Sequence, residues 1–187
     1  AVVVTLLDRE ILDYKWIAAG LIIGALIGGI AARVVKMTSM PELVALFNGF
    51  GGFASLLVAW AELEKIESLG WQLYTGQMGT PAQFSSFVIY LAMLIGGVTF
   101  TGSLYAYGKL SGRVSGRALV FGGQKFLNIL LLVAILGIGV VFTWGENLDT
   151  ASSLFVIGVC LALIFGVMGV MPIGGGDMPV VISLLNS

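Results

Sequence analysis

A short polar element occurs twice in this chain. Ser39-Met40-Pro41 is followed by Asn48, and Asp177-Met178-Pro179 is followed by Asn186, so each copy places a carboxamide seven residues after its proline inside an apolar stretch. At ~1.5 Å of rise per residue, both amides lie about 10 Å into a helix. A carboxamide donates and accepts hydrogen bonds but does not titrate near neutral pH, so it can orient water without carrying a proton itself. Ser183 stands one turn before Asn186, and Thr99, Thr101 and Ser103 add hydroxyls on another segment. Together these side chains can line a narrow wet seam, or act as hydrogen-bonding glue between helices. Asp177 is the one acid beside that seam. It precedes a helix start, where the dipole favours a carboxylate, and it reads equally as a plain N-terminal cap.

What is missing narrows the chemistry further. The chain has no His, which excludes every scheme that needs an imidazole base or a histidine metal ligand. Its single cysteine, Cys160, cannot form an internal disulfide and reads as a small buried hydrophobe. No Asp, Glu, Lys or Arg falls in the middle of an apolar run, whereas a transporter of charged solutes would usually show one. Gly122-Gly123 has neither a preceding strand nor the Walker spacing of a phosphate loop. Proton movement along water held by Asn, Ser and Thr remains compatible, with gating supplied from outside the membrane.

The elements that must position these groups follow from composition. Hydrophobic residues make up 58% of the chain and charged residues 10%, with a net charge of -1, so no basic excess points to nucleic acid. The mean hydropathy of +1.05 is that of a membrane protein. Apolar runs approaching the ~20 residues of a membrane span occur at 16–32, 43–61, 84–107, 127–144 and 154–170, and a sixth begins at Pro179 and is cut off at Ser187. The fold class expected is therefore all-α, a polytopic transmembrane bundle in a single domain over 1–187. Ala1–Leu7 reads as the tail of an earlier helix, and neither end resembles a natural terminus, which suggests a piece of something longer.

Alternating the spans puts Arg33, Lys36, Lys109, Arg113, Arg117 and Lys125 on one side and Arg9, Lys15 and Lys65 on the other; the first side is then cytoplasmic, or matrix in a mitochondrion. Both Met-Pro elements open helices on that side, with proline in a first turn where its missing N–H costs nothing. Gly20, Gly24 and Gly28 form a ridge suited to close helix packing. Gly49, Gly51, Gly52, Gly96, Gly97 and Gly102 either pack helices or leave room for water. The stretch around Glu62, Glu64, Lys65 and Glu67 reads as a solvated loop, and 109–125 as an orientation signal or a face for anionic lipid or a soluble domain.

Three segments carry a family resemblance. Met37-Thr38-Ser39-Met40-Pro41-Glu42-Leu43-Val44-Ala45, Val98-Thr99-Phe100-Thr101-Gly102-Ser103 and Gly174-Gly175-Gly176-Asp177-Met178-Pro179-Val180-Val181 resemble the membrane domain of the proton-translocating NAD(P) transhydrogenase, in its beta subunit. The resemblance implies that this chain holds no cofactor. It places NADP(H) in a domain following on the same full-length chain and NAD(H) on a partner alpha subunit, in a complex expected to be dimeric. The resemblance further implies a bacterial cytoplasmic membrane, or a mitochondrial inner membrane, and coupling of hydride exchange to proton flow. Asn48 falls where many members have a histidine central to proton transfer and others an Asn, so a water chain oriented by Asn48 would do the conducting. By the same resemblance Asn186 and Ser103 line the channel, with Ser183 and Thr99 beside them, and Asp177 is the acid that meets the NADP(H) domain.

Two other classes fit the residues alone. The Met-Pro repeats and glycine-rich helices suit a small-solute channel or secondary transporter. A passive anchor for soluble partners would tolerate apolar residues at Asn48, Ser103 and Asn186.

Overall fold

The computed structural model describes residues 14–70, 81–145 and 148–186. Among the described residues there are six helices: α1 (Tyr14–Val34), α2 (Met40–Leu69), α3 (Ala82–Leu110), α4 (Gln124–Trp144), α5 (Leu148–Val170) and α6 (Met178–Asn186). Three-residue 3-10 turns, Met37–Ser39 and Gly175–Asp177, lead into α2 and α6. No strand occurs among the described residues, and five helices are long and apolar enough to cross a membrane. The sequence expectation for Ala1–Leu7, and the charge at Arg9, lie outside the described residues, as does Ser187.

The described residues fall into two compact units, one up to Met40 and one from Pro41 on. In the first, no residue of α1 is buried, and within that unit no described atom lies within 4 Å of a Cβ built on Gly20, Gly24 or Gly28.

In the second unit α3 is the central post, and helix registers show how its neighbours run. Asn48 bonds to Ser103, a Cβ on Gly52 would meet Gly96 and Thr99, and Ser55 bonds to the carbonyl of Ala92, so α2 and α3 are antiparallel. A Cβ on Gly97 would meet Ala162, one on Gly102 would meet Gly166, and Thr101 Oγ1 donates to Leu163 O at 2.7 Å, so α5 runs parallel to α3. Phe142 stacks on Phe155 while Asn128 bonds to Met168, which makes α4 antiparallel to α5. These contacts use the chemistry expected in lipid. Small residues bring backbones together and hydroxyls bond across, because hydrocarbon already solvates large apolar side chains on the outer faces.

The larger apolar core lies in the half of the unit away from the basic loops. Ile66, Met93, Ile135, Phe142, Phe155 and Ala162 are fully enclosed there. Tyr90 is its centre: the ring sits against Gly139 and Gly158, stacks on Phe142 at 5.4 Å, and the hydroxyl donates to Ile135 O at 2.8 Å. A smaller cluster of Ala45, Ala106, Val170, Met178 and Ile182 fills the basic end.

Two sequence readings are corrected. Glu62, Glu64, Lys65 and Glu67 belong to the last turns of α2, not to a loop. Leu56, Ala59, Leu63 and Ile66 keep one face buried at helical spacing, and Trp60 Nε1 donates to Glu64 one turn on, so packing carries the helix past the point where the apolar run ends. With 30 residues, α2 is about 45 Å long, well beyond a ~30 Å hydrocarbon core. Cys160, expected to be buried, is exposed on α5, because Val159 and Ala162 occupy the inward positions of that turn. Gly122-Gly123 also gains a role: Gly123 at φ 84° turns the chain into α4, in a conformation that favours glycine.

The α2–α3 crossing has no room for a single added methyl group. A Cβ on Gly52 would lie 2.8 Å from both Gly96 O and Phe100 N, backbone atoms that cannot swing aside, whereas Gly51 next to it faces open space. Gly52→Val is expected to destabilise the unit by ~1–3 kcal/mol, the usual cost of overpacking. Gly51→Val should be near neutral. Unfolding titrations in detergent compare the two, and equal midpoints would show that the crossing does not hold the fold.

Candidate functional site

The polar groups singled out above sort into a bonded pair, a near neighbour and an outlying set. Asn48 is half-buried on α2, and its Nδ2 donates to Ser103 Oγ at 2.9 Å. Ser103 is 0% exposed. The bond is short because glycines bring the helices together: a Cβ on Gly49 would stand 3.4 Å from Ser103 Cβ and from Phe100 O. Gly49 and Gly52 therefore bring backbone up to backbone, while Gly51 faces open space. Asn48 keeps a second N–H and its carbonyl oxygen, and Ser103 keeps its O–H, so the pair retains groups that hydrogen-bond water.

Thr99 lies one turn from Ser103 on the same face of α3, buried, and its hydroxyl donates to Leu185 O at 3.4 Å. That contact sets the depth of α6. Ile182 meets the cluster around Ala106, and Leu185 meets Thr99, so Asn186 stands about one turn farther from the basic end than the Asn48–Ser103 bond. The equal depth suggested by the repeat is offset by a turn. Asn186 and Ser183 are both exposed, and neither joins the bonded pair. Thr101 faces the other way, donating to Gly97 O and Leu163 O on the α5 side.

Asp177 closes the 3-10 turn that leads into α6. Its carboxylate is exposed, its N–H donates to Gly174 O, and the N-cap of that turn is Gly174 with no side-chain bond, so Asp177 is not the cap there. The two polar repeats share one backbone path. Lys36 (φ −70°, ψ 150°) and Gly174 (φ −71°, ψ 154°) precede the turns, and Met40 and Met178 follow them in the helical region.

Lys109, which sequence alone places in a basic loop that marks orientation or meets anionic lipid or a soluble domain, is instead turned into the protein. At the end of α3 this residue is 4% exposed. Its Nζ donates to Met171 O at 2.8 Å and Ile173 O at 2.6 Å, and lies 5.2 Å from the Tyr105 ring centre. Two further backbone bonds, Leu119 N to Met171 O and Gly175 N to Gly116 O, tie the basic loop to the same segment. Gln124 and Asn128 on α4 donate to Met168 O nearby, and Asn128 Oδ1 is buried without a partner. No signal in the sequence separates Lys109 from the other basic residues, apart from its place on the last turn of an otherwise apolar span.

No group of three or more His, Cys, Asp or Glu able to hold a metal ion occurs among the described residues. The site is a set of neutral hydrogen-bonding groups between helices, suited to orienting water rather than to forming covalent intermediates.

Comparison with known proteins agrees with the resemblance. Residues 1–187 match a family model described as the NAD(P) transhydrogenase beta subunit. A protein named NAD(P) transhydrogenase subunit beta from Rhodospirillum rubrum is 37% identical over 187 residues, and one from a catalogued strain of that species matches equally. The alignment covers all of this chain and 39% of the relative, so the chain spans about two-fifths of the length of the curated proteins it matches. With its five membrane-length helices it is an integral membrane protein. Matched by the family model from end to end, the chain belongs to the NAD(P) transhydrogenase beta subunit family.

Proposed function

We propose that this chain is the proton-translocating membrane domain of an NAD(P) transhydrogenase. Hydride passes between NAD(H) and NADP(H) in partner domains, and this domain couples the exchange to proton movement. The observation that supports it most is the Asn48–Ser103 bond, a polar pair held between two apolar helices with donors and an acceptor to spare. The described residues include no strand from which a dinucleotide fold could be built, so no step of hydride transfer is assigned to them. The NADP(H)-binding domain belongs to the longer chain and the NAD(H)-binding domain to an alpha subunit, in a complex containing two copies of each. The membrane is the bacterial cytoplasmic one, with the Lys109–Lys125 loop inside.

In this reading the pair orients a chain of water, and protons hop along it. Neither an amide nor a hydroxyl titrates near neutral pH, so the protein sets the path while water carries the charge. Thr99, Ser183 and Asn186 extend the path away from the basic end, and Asp177 meets the NADP(H) domain at the mouth. Coupling requires that the oxidised and reduced nucleotide differ in affinity for the open and closed path; without that difference hydride exchange moves no proton.

The test uses the full-length complex in sealed vesicles with an internal pH dye, supplied with NADPH and an oxidised NAD analogue. A pH change that follows hydride exchange and collapses with an uncoupler supports the reading. Exchange at full rate with no pH change would remove it, and would favour a passive anchor.

Two substitutions then locate the path. Asn48→Leu is expected to lower proton movement at least tenfold, equivalent to ~1.4 kcal/mol on the barrier, while hydride exchange between the separated nucleotide domains is unchanged. Persistent coupled pumping in that variant would take Asn48 off the path. Asn48→His puts a group with an ordinary pKa of ~6.5 at the same point. The pH profile of pumping should then show a titration step that the parent lacks, and identical profiles would show that the position does not contact the moving proton.

A further inference from the structure

An apolar cluster stands between the Asn48–Ser103 pair and Asp177. Ala45 precedes Asn48 by one turn and Ala106 follows Ser103 by one turn, so in this antiparallel pair both lie on the basic-end side of the bond, displaced by ~4.5 Å. Met178 belongs with both alanines, Val170 and Ile182 to one buried cluster, and is 0% exposed. The residue before it is Asp177. Apart from the weakly accepting thioether of Met178, these five side chains offer water no partner. A close-packed apolar constriction of this kind holds no continuous water chain.

The methionine owes its place to the turn before it, and that turn is fastened to α3. Lys109 lies one turn beyond Ala106, and its buried ammonium bonds the carbonyls of Met171 and Ile173. Among the described residues it has no carboxylate partner, so those two carbonyls and the Tyr105 ring are what hold the charge there. Gly175 N to Gly116 O adds a second tie. From Ile173 the chain needs only five residues to reach Met178, across a 3-10 turn with little slack.

We propose that Met178 closes the proton path in this structure and that Lys109 is the positioning residue that keeps it closed. The turn between Ile173 and Met178 carries Asp177 on its exposed face and the plug at its end, so a domain that pulls on Asp177 withdraws Met178 from the buried cluster it shares with the two alanines. Water then reaches the Asn48–Ser103 pair from the basic side. The identity of the pulling domain rests on the function proposed above; the closure itself does not.

The closure is tested without nucleotide. Vesicles containing the full-length complex are given a potassium diffusion potential with valinomycin, and proton entry is followed with an internal pH dye. Met178→Ala is expected to raise proton entry about tenfold over the parent, while Met178→Leu, of similar volume, stays tight. Lys109→Met should leak like Met178→Ala, and Lys109→Arg, which keeps the charge and the donors, should restore tightness. A Met178→Ala complex as tight as the parent overturns the plug. A tight Lys109→Met complex beside a leaky Met178→Ala complex overturns the part given to Lys109. Should Met178→Ala not assemble, Met178→Cys in a Cys160→Ser background decides instead. Protection of that thiol from a small water-soluble methanethiosulfonate in the nucleotide-free complex supports closure, and ready labelling overturns it. Hydride exchange without a pH change in the parent would defeat the proposed function and leave the leak comparison standing.

Discussion

The close approach of α2 and α3 is the constraint from which the rest of the second unit follows. In lipid, large apolar side chains gain little by leaving hydrocarbon for a helix interface, so association rests on close packing and on hydrogen bonds across the gap. Gly49, Gly52 and Gly96 allow backbone to meet backbone, and the Asn48–Ser103 bond forms at the distance this sets. Any residue that widened the crossing would also part the polar pair, so packing and the candidate site share one geometry.

A single helix serves several interfaces because α3 carries two stripes at helical spacing. Gly96, Thr99, Ser103 and Ala106 face α2 and α6, while Tyr90, Met93, Gly97 and Thr101 face α4 and α5. Each stripe mixes small residues with hydroxyls: those of Thr99, Tyr90 and Thr101 donate to carbonyls of neighbouring helices and that of Ser103 accepts from Asn48, so none is left unsatisfied in hydrocarbon. The outer faces of α2 and α4 carry Phe47, Phe50, Ile129, Leu130 and Val133, as a lipid-facing surface should. Rigidity around α3 and the position of the polar pair thus come from one run of sequence.

Features governed by local pattern were legible in the sequence, and those set by partners far along the chain were not. Apolar runs marked five long helices, and hydroxyls beside Asn48 and Ser103 marked the candidate site, because length and composition encode them directly. The continuation of α2 through Glu62–Glu67 was hidden, since hydropathy stops at the first charges while burial of Leu63 and Ile66 depends on residues from α3 and α5. The outward position of Cys160 depends on the rotation of α5, which Gly158 and Gly166 set by contacting α3. Lys109 was the hardest to see. A basic residue ending a membrane helix usually marks orientation, and only the return of the chain at Met171 and Ile173 makes this one a buried tether.

The two Met-Pro elements show how far like sequence produces like structure. Both copies take the same path: an extended residue, a three-residue 3-10 turn, then a helix with proline in its first turn. This much is local, since proline's fixed φ suits a helix start and the turn needs no tertiary partner. Burial separates them: Met40 is 39% exposed, whereas Met178 is fully enclosed among Ala45, Ala106, Val170 and Ile182. A side chain can act as a plug only where it is enclosed by its neighbours, and here that holds for Met178 and not for Met40. The same turn has therefore been used once to start a long helix and once to hold an apolar stopper beside a polar pair. Only the second copy, tethered by Lys109 and bearing Asp177, joins an exposed acid to a buried closure within a single turn.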